Sequence, residues 1–432
     1  MKYKIKNSNL DSEVFIWDKY SDQPYPINNK EYKNKKRKEN SFDYIPLFFT
    51  NLFIFPLGLL FSFFFSSFLK TKKNKFDIFF AMCVNLDKGE EQVKLIDDLG
   101  VEDIQIRVPL AELSRLDEYF DFANKFKNKN ILINILQTRD FIEDKDALKL
   151  ALKQIFEKFG TITNLFQIGN VSNRTKWGFF SIKEYLEFYK VAYDLRNEEF
   201  RDILLLGSCV IDFEYHYTIR ALFNAYKIKY DINSSLLYVD RRGQPENTQM
   251  GIFDLSKKID FLNALCFLSP KSSKKIFITE TNWPLKNTAP FAPTSEKECV
   301  SEDTYTNYML RYYFLTMASQ KIQKVYWHQL IANGYGLVDV RNGLRKRPAY
   351  YAFKFMLKIL KNASFEKLKI TKDIYEMSLK NQNEKIDILW ASSDKIKSLE
   401  KFSKVYDKMG NILEDNINIS QNPIYVIHKE KK

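Results

Sequence analysis

The feature of this chain that most restricts its fold is a repeated alternation of short apolar runs with amphipathic stretches after Lys75. An apolar run followed by helical periodicity is the pattern of a βα unit, and consecutive βα units build a parallel sheet. Eight such units within about 285 residues match the usual size of a closed (β/α)₈, or TIM, barrel. An open, doubly wound sheet is the competing architecture, but no GxGxxG motif or phosphate loop follows any of the runs. The sequence therefore predicts an α/β fold with a (β/α)₈ barrel over residues 76–362.

Two further regions flank the predicted barrel. Downstream of it, runs such as DIYEMSL, KIDILWAS and PIYVIH alternate between apolar and polar residues, as short antiparallel strands do. We expect a small C-terminal β domain over residues 367–432. Upstream, residues 44–69 contain no charged residue and are long enough to cross a bilayer, since about 20 apolar residues suffice for a helical span. They predict an N-terminal transmembrane segment, preceded by a polar, basic tail over residues 1–43.

The charges around the apolar segment give its expected orientation. Five basic residues between Lys33 and Lys38 precede it, and four lysines between Lys70 and Lys75 follow it. Basic residues tend to stay on the cytoplasmic side of a membrane. The slight excess before the segment therefore predicts a cytoplasmic N-terminus, a single-pass anchor in a bacterial inner membrane and a periplasmic barrel.

Charge and composition narrow the expected partners. The net charge is +13, yet the chain has no zinc-ligand spacing, no aromatic RNA-binding signature and no basic recognition helix, so a nucleic acid is not expected. An anionic membrane surface, an acidic substrate and lysine-rich solvated faces remain as explanations of the charge. The four cysteines are widely spaced and only three histidines occur, so no disulfide framework, metal centre or cofactor is expected.

Polar residues just beyond each apolar run are the candidates for a site, because the active sites of barrel enzymes lie at the carboxyl ends of the strands. Aromatic rings can cover the apolar faces of a sugar, while amides, carboxylates and arginines bind its hydroxyl or acid groups. The predicted substrate-binding residues are Arg107, Gln137, Arg139, Asn170, Tyr238, Asp240, Arg241, Trp283, Trp327 and His328.

Glu280 is the most specific of the candidate residues. It ends the apolar strand IFIT and is followed by TNWP, which turns the chain sharply. A carboxylate at this position can attack an anomeric carbon or stabilise an oxocarbenium-like transition state. A structural ion pair at the barrel rim is the alternative. We predict Glu280 to be catalytic.

The strand end ITETNWP, followed by VYWHQL, GYGLVD and RPAYYAF, resembles the last quarter of the retaining glycoside hydrolases of clan A. The resemblance covers residues 76–432 in pattern and is sharp at the fourth, seventh and eighth strands. It implies a barrel with an appended β domain, in which Glu280 is the nucleophile and Trp327 is the tryptophan that ends the eighth strand.

One position departs from the clan pattern. Clan members carry an Asn-Glu pair after the fourth strand, and its Glu is the acid/base, whereas this chain has Asn170 followed by Val171. A valine cannot transfer a proton. Glu214, after the fifth strand, is therefore predicted as the second catalytic carboxyl. The other substitutes by position are Asp212, Asp240 and Glu246.

Arginines on the predicted loops suggest a substrate class, because guanidinium groups bind carboxylates bidentately. Together with the anchor, they make the chain similar to the Kdo hydrolases that trim lipopolysaccharide. We expect a membrane-anchored glycoside hydrolase that acts on an envelope glycan or glycolipid, with an acidic sugar such as Kdo as the group removed and a small partner subunit in the membrane left open. A catalytically inactive glycan-binding or scaffold barrel, favoured by Val171, and a glycan-assembly factor are the alternatives.

Overall fold

The computed structural model describes residues 15–19, 21–69, 79–240, 243–381, 384–393, 397–398, 404–414 and 417–429. The first described residues form a two-stranded hairpin, β1 (Trp17–Asp18) and β2 (Gln23–Pro24), followed by helix α1 (Lys30–Glu39). These residues belong to the predicted tail, and they pack on the barrel. Phe15 and Ile27 are buried there.

Helix α2 (Tyr44–Phe64) contains the predicted apolar segment. Within the described residues, the stretch Ser41–Phe64 is the one helical region long and apolar enough to cross a membrane, judged by length and composition. The helix lies lengthwise along the outside of the barrel. At its start, Asp43 forms a buried ion pair with Arg220, with 2.7 Å between the carboxylate and the guanidinium nitrogen. Further along, Gly58 lies directly against the Phe261 ring.

Eight parallel strands close into a barrel in chain order, which confirms the predicted fold. The strands are β3 (Phe80–Val84), β4 (Asp103–Pro109), β5 (Asn130–Leu136), β6 (Leu165–Ile168), β7 (Leu204–Ile211), β8 (Ile232–Leu236), β9 (Ile276–Thr281) and β10 (Lys324–Trp327). Closure comes from the parallel pairing of β10 with β3, in which Val325 lies opposite Phe80.

Helices surround the strands and bury one apolar stripe each. They are α3 (Glu91–Leu99), α4 (Leu116–Asn124), α5 (Arg139–Glu143), α6 (Lys145–Phe159), α7 (Ile182–Glu199), α8 (Tyr215–Leu222), α9 (Leu255–Leu268), α10 (Glu302–Ser319) and α11 (Pro348–Leu360). The Asp144 side chain accepts hydrogen bonds from two backbone amides in the first turn of α6. The Ser301 side chain accepts a hydrogen bond from one backbone amide in the first turn of α10. Such caps satisfy amides that have no partner inside the helix.

The chain after α11 forms an antiparallel sheet, as the sequence predicts. Its strands are β13 (Ser364–Thr371), β14 (Ile374–Lys380), β15 (Glu384–Ala391), β16 (Lys397–Ser398), β17 (Val405–Tyr406), β18 (Ile412–Leu413), β19 (Asn418–Ile419) and β20 (Ile424–Lys429). A separate short pair, β11 (Val338–Asp339) and β12 (Arg345–Lys346), precedes α11. Six of the strands after α11 form one sheet in the order β13-β14-β15-β20-β17-β18, and β16 pairs with β19. Trp390 joins this sheet to the barrel, because it packs on Phe314 and donates to Glu246 at 2.8 Å.

Candidate active site

Glu280 lies at the end of β9, where the carboxyl ends of the strands form the mouth of the barrel. Both oxygens of its carboxylate have a partner. Oε1 accepts a hydrogen bond from the Tyr238 hydroxyl at 2.6 Å, and Oε2 forms an ion pair with Nη2 of Arg107 on β4. All three residues are buried. The carboxylate is therefore held in one orientation by two donors, one on β4 and one just after β8.

The N-terminal segment brings a second carboxyl group to the same arginine. Nη1 of Arg107 donates to both the side-chain oxygen Oδ2 and the backbone oxygen of Asp22, at 3.2 Å each. We call residues 15–29 the strap. The strap also contacts the loop after β6, where Trp17 packs edge-on against Trp177 and Lys176 donates to Gln23. One cation thus lies between the carboxyl groups of Asp22 and Glu280.

Burial raises the pKa of the Asp22 carboxyl to about 6. Arg107 pulls in the opposite direction, and so does the more distant Lys88, while Glu112 adds to the increase. The net increase shows that the burial of this carboxyl group outweighs the attraction of the two cations.

A cavity of about 300 Å³ opens next to this group. Tyr238, which holds Glu280, is part of its wall. The other lining residues are Asp212, Phe213, Glu214, Val239, Asp240, Gln249, Thr294 and Glu298. The predicted catalytic residue Glu214 and the predicted binding residues Tyr238 and Asp240 therefore share one cavity at the mouth. Its size and polar lining suit a monosaccharide unit.

Glu214 is engaged by its neighbours. Its Oε2 atom accepts from the Asn173 side chain at 2.6 Å and from Arg174 at 2.5 Å. The other amino group of Arg174 pairs with Asp212 at 2.8 Å. About one third of the Glu214 side chain is exposed to solvent. These contacts make Glu214 a salt-bridged carboxylate on the cavity wall.

The loop after β6 contains the position where the clan acid is missing. Val171 is buried, with a positive φ of 48°. The Nδ2 atom of the adjacent Asn170 is buried and has no hydrogen-bond partner among the described residues. Gln137 braces this loop, because its side chain donates to the backbone oxygens of Asn170 and Trp177 and accepts from the Asn170 amide. Asn170 can therefore bind a ligand, whereas Gln137 holds the loop in place.

The predicted binding residue Arg139 binds groups other than the Glu280 carboxylate. Arg139 is fully engaged elsewhere, since it donates to Tyr32, Gly178 and Glu184 and forms an ion pair with Glu143. Arg241 lies outside the described residues.

The two predicted sugar-stacking tryptophans are wholly buried. Trp283 and Trp327 stack on each other with ring centroids 5.9 Å apart, and their indole nitrogens donate to Gly243 and to the Tyr305 hydroxyl. They support the floor of the mouth and present no free ring face.

His328 follows β10 and lies below the mouth. Its ring is buried and stacks on Tyr335 at 5.5 Å. Burial and the nearby cations Arg107 and Lys88 hold the pKa of His328 well below its usual range. The Nδ1 atom has no hydrogen-bond partner among the described residues. The ring is therefore a neutral group that can exchange hydrogen bonds with a ligand.

The His328 imidazole should stay neutral at pH values near the ordinary histidine pKa of about 6.5, because its pKa in the folded protein is depressed. NMR of the ring protons, assigned with a His328→Gln variant, should show the neutral form of this residue at that pH. A titration midpoint at or above about pH 6.5 would contradict the buried environment flanked by Arg107 and Lys88.

Two residues near Arg107, Asp22 and Tyr335, were not among the residues predicted from the sequence. Asp22 lies in a segment with no periodic pattern, so nothing predicts that it reaches the barrel. Tyr335 follows the eighth strand by several residues. Burial raises the pKa of its phenol, and the charges of Arg107, Asp22 and Glu280 also act on it. An aromatic residue in the GYGLVD motif was the only available signal.

No protein-family model and no curated protein matches this chain. Solved structures do match it. A family 39 glycoside hydrolase from Bacteroides cellulosilyticus is 15% identical with a TM-score of 0.63, over 82% of this chain and 81% of that one. A family 30 endoxylanase from Clostridium papyrosolvens is 11% identical with a TM-score of 0.55, over 83% and 97%. A family 39 β-xylosidase from Caulobacter crescentus is 10% identical with a TM-score of 0.56, over 83% and 98%. At these identities the likeness shows the fold.

Proposed function

We propose that this protein is a retaining glycoside hydrolase that cleaves a glycosidic bond in a membrane-associated envelope glycan. The observation that carries the proposal is the Glu280 carboxylate, buried in the barrel mouth between Arg107 and Tyr238 and next to a cavity that accommodates a monosaccharide. The solved structures that share this fold are named as glycoside hydrolases and xylan-cleaving enzymes, which supports the same reaction class for this chain.

The geometry suits nucleophilic displacement at an anomeric carbon. Tyr238 and Arg107 fix both oxygens of Glu280, so the carboxylate needs no reorganisation before it attacks. The side-chain Nδ2 atom of Asn170, which has no partner among the described residues, can donate a hydrogen bond to a sugar hydroxyl.

Kdo or a related acidic sugar is the finer proposal for the group removed, from a glycolipid at the bacterial inner membrane. The described cavity wall is rich in carboxyl groups, so an acidic sugar needs cations from elsewhere. Arg241 and Arg242 follow the cavity residue Asp240 in the sequence and are the candidates for these cations.

The experiment that tests this proposal is a comparison of lipopolysaccharide from cells with and without the protein. We expect the strain that lacks it to retain one additional acidic sugar per molecule, seen by mass spectrometry of the intact glycolipid. Purified protein should remove that sugar in vitro. Identical glycolipids in both strains, together with no release by the purified protein, would contradict the proposal.

A catalytically inactive glycan-binding barrel is the second candidate, and Val171 favours it. In that case purified protein would bind envelope glycan without releasing any reducing sugar. Binding would survive replacement of Glu280 by Gln, since hydrogen bonds alone would hold the glycan.

A further inference from the structure

The carboxyl group that the clan places after the fourth strand is missing here, yet a second carboxyl group does reach the mouth. We propose that Asp22 of the strap is the acid/base partner of Glu280. This inference rests on the proposed function and adds to it the residue that moves the proton. Two properties of Asp22 support this assignment, its distance from Glu280 and its charge state.

The position follows from the shared guanidinium group. Asp22 and Glu280 bind Nη1 and Nη2 of Arg107, and these two nitrogens are only about 2.3 Å apart in any arginine. Even in a fully extended arrangement, the two bound carboxylate oxygens are less than about 8 Å apart. Catalytic carboxyl pairs of glycosidases are separated by roughly 5 to 9.5 Å. Asp22 is therefore within the range from which an acid can serve the bond that Glu280 attacks.

The charge state separates the two roles. Arg107 faces both carboxyl groups, and burial raises the pKa of Asp22 to about 6. Glu280 has the ion pair with Arg107 and the short hydrogen bond from Tyr238. Asp22 has one longer side-chain contact to Arg107. A carboxyl group whose pKa is raised toward neutrality is the member of such a pair that is suited to donate a proton.

The alternative carboxyl group, Glu214, is less suited. Two donors, Asn173 and Arg174, both bind its Oε2 atom, so this oxygen is already engaged by the protein. About a third of its side chain also faces solvent. Asp22 is buried and Glu214 is not, which assigns the acid role to the strap.

The reaction is balanced with these two groups and water. A Glu280 oxygen forms a bond to the anomeric carbon while the glycosidic C–O bond breaks, and its electron pair goes to the leaving oxygen. That oxygen takes the proton of Asp22. In the second step, the Asp22 carboxylate takes a proton from water, the water oxygen bonds to the anomeric carbon, and Glu280 leaves as a carboxylate.

An Asp22→Asn variant tests the assignment with two substrates. With lipopolysaccharide, whose leaving group is a sugar alkoxide, sugar release should fall about 10²- to 10⁴-fold. With a 4-nitrophenyl ketoside of Kdo, whose leaving group departs without an acid, formation of the sugar–enzyme bond should fall less than about tenfold. Asp22→Glu should restore part of the activity, and Gln23→Ala, in the same strap, should leave both rates close to wild type.

Equal losses on both substrates would show that Asp22 only positions the strap. Faster release by Asp22→Asn would show that the strap blocks the site. Either result overturns the acid/base assignment and leaves the proposed function intact, provided that wild-type protein releases sugar and Glu280→Gln does not. Absence of release by wild-type protein from either substrate would contradict the proposed function itself.

A different surface, on helix α2, carries a second and independent inference. One face of α2 packs on the barrel, where Asn51 donates to the His216 backbone, Phe55 packs against Phe261, and Gly58 allows close approach. The opposite face is aromatic and exposed. Side chains there that are more than half exposed are Tyr44, Ile45, Phe48, Phe49, Leu52, Phe53 and Phe64. An apolar face turned away from the protein requires an apolar partner.

We infer that α2 lies in the plane of an anionic membrane surface, with the barrel resting on it through the α8 and α9 side. Charged barrel residues make contacts at both ends of α2. Arg220 binds Asp43 at the start, Lys257 lies over the Phe63 ring, and Lys321 donates to Ser66 just beyond the end. If α2 crossed the bilayer in this arrangement, these charges would enter the hydrocarbon region, which is strongly unfavourable.

The surrounding charges fit anionic headgroups. Helix α1, directly before α2, has six basic and two acidic residues. Near the other end, Lys274 lies over the exposed ring of Phe267. Basic residues beside an aromatic face are the pattern of helices that bind within the headgroup layer. The α2 end near His216 is also beside the cavity residue Glu214, so the mouth would open next to the membrane surface.

Vesicle flotation tests the membrane surface. Full-length protein should float with vesicles that contain 30% phosphatidylglycerol and bind pure phosphatidylcholine at least tenfold less. A Phe48→Ser/Phe53→Ser/Phe64→Ser variant should lose binding at least tenfold. The matched control is Ile370→Ser/Ile412→Ser, which changes two comparably exposed apolar residues of the C-terminal sheet. Equal binding by the aromatic variant and wild type would overturn the inference.

Cysteine labelling distinguishes a surface helix from a crossing helix. The four native cysteines are buried, so a membrane-impermeant maleimide should report on introduced ones. The cysteine introduced by Lys38→Cys lies before α2, and the one introduced by Lys286→Cys lies on the barrel. Both cysteines should react with the maleimide when the protein is bound to intact vesicles. Protection of one site until detergent is added would show that α2 crosses the bilayer and would contradict the surface arrangement.

Discussion

Glu280→Gln should reduce sugar release from lipopolysaccharide by at least about 10³-fold, the largest effect of any single change at the mouth. The amide keeps the shape of the side chain, and Arg107 and Tyr238 keep a hydrogen-bond partner. It cannot, however, form the covalent bond to the anomeric carbon. Initial rates of release, measured at saturating substrate, provide the comparison.

The matched control for this change is Glu366→Gln. Glu366 is an exposed glutamate of β13 in the C-terminal sheet and is not part of the cavity wall. We expect its release rate to stay within about threefold of wild type. Both variants should unfold at temperatures close to wild type. A Glu280→Gln variant that keeps more than a tenth of the wild-type rate would remove Glu280 from the mechanism.

Lys324→Met should lower the free energy of unfolding by about 3 to 5 kcal/mol. Lys324 begins β10 and forms an ion pair with Asp103, which begins β4 and is wholly buried. Burial already raises the pKa of Asp103, and Lys324 is the first of the groups that oppose this increase. Removing the lysine leaves a buried carboxylate without its cation, at the barrel end opposite the mouth. Urea titration gives the change in stability.

The double variant Asp103→Leu/Lys324→Met isolates this pair. Removing both charges replaces the ion pair by apolar groups, and such replacements are close to neutral in stability. We expect the double variant to be more stable than Lys324→Met alone. A double variant that is less stable than Lys324→Met would show that Asp103 stabilises the protein without its cation, and would contradict this account of the ion pair.

The barrel and its C-terminal sheet could be predicted from the sequence because each element carries its own periodic signal. Leu148, Leu152, Ile155 and Phe159 recur at helical spacing in the sequence and are buried on α6, which ends just before Gly160. The position of Glu280 follows from the same logic, since the end of a barrel strand is a defined place in the fold.

Residue roles that depend on distant packing could not be predicted. Trp283 follows a strand end, yet its ring is buried and stacks on Trp327. Arg139 also follows a strand, but Glu184 of a neighbouring helix binds it. Asp22 reaches the mouth from outside the barrel sequence, a placement that only tertiary contacts determine.

Mass spectrometry of a trapped sugar–enzyme bond tests the central claim most directly. Wild-type and Asp22→Asn proteins are mixed with the nitrophenyl ketoside, quenched in acid during turnover and digested. We predict one added sugar residue on the peptide that contains residues 276–281, attached to Glu280 and more abundant in Asp22→Asn, where water is activated slowly. Turnover with no adduct on that peptide, or an adduct on another carboxylate, would contradict the assignment of Glu280 as the nucleophile.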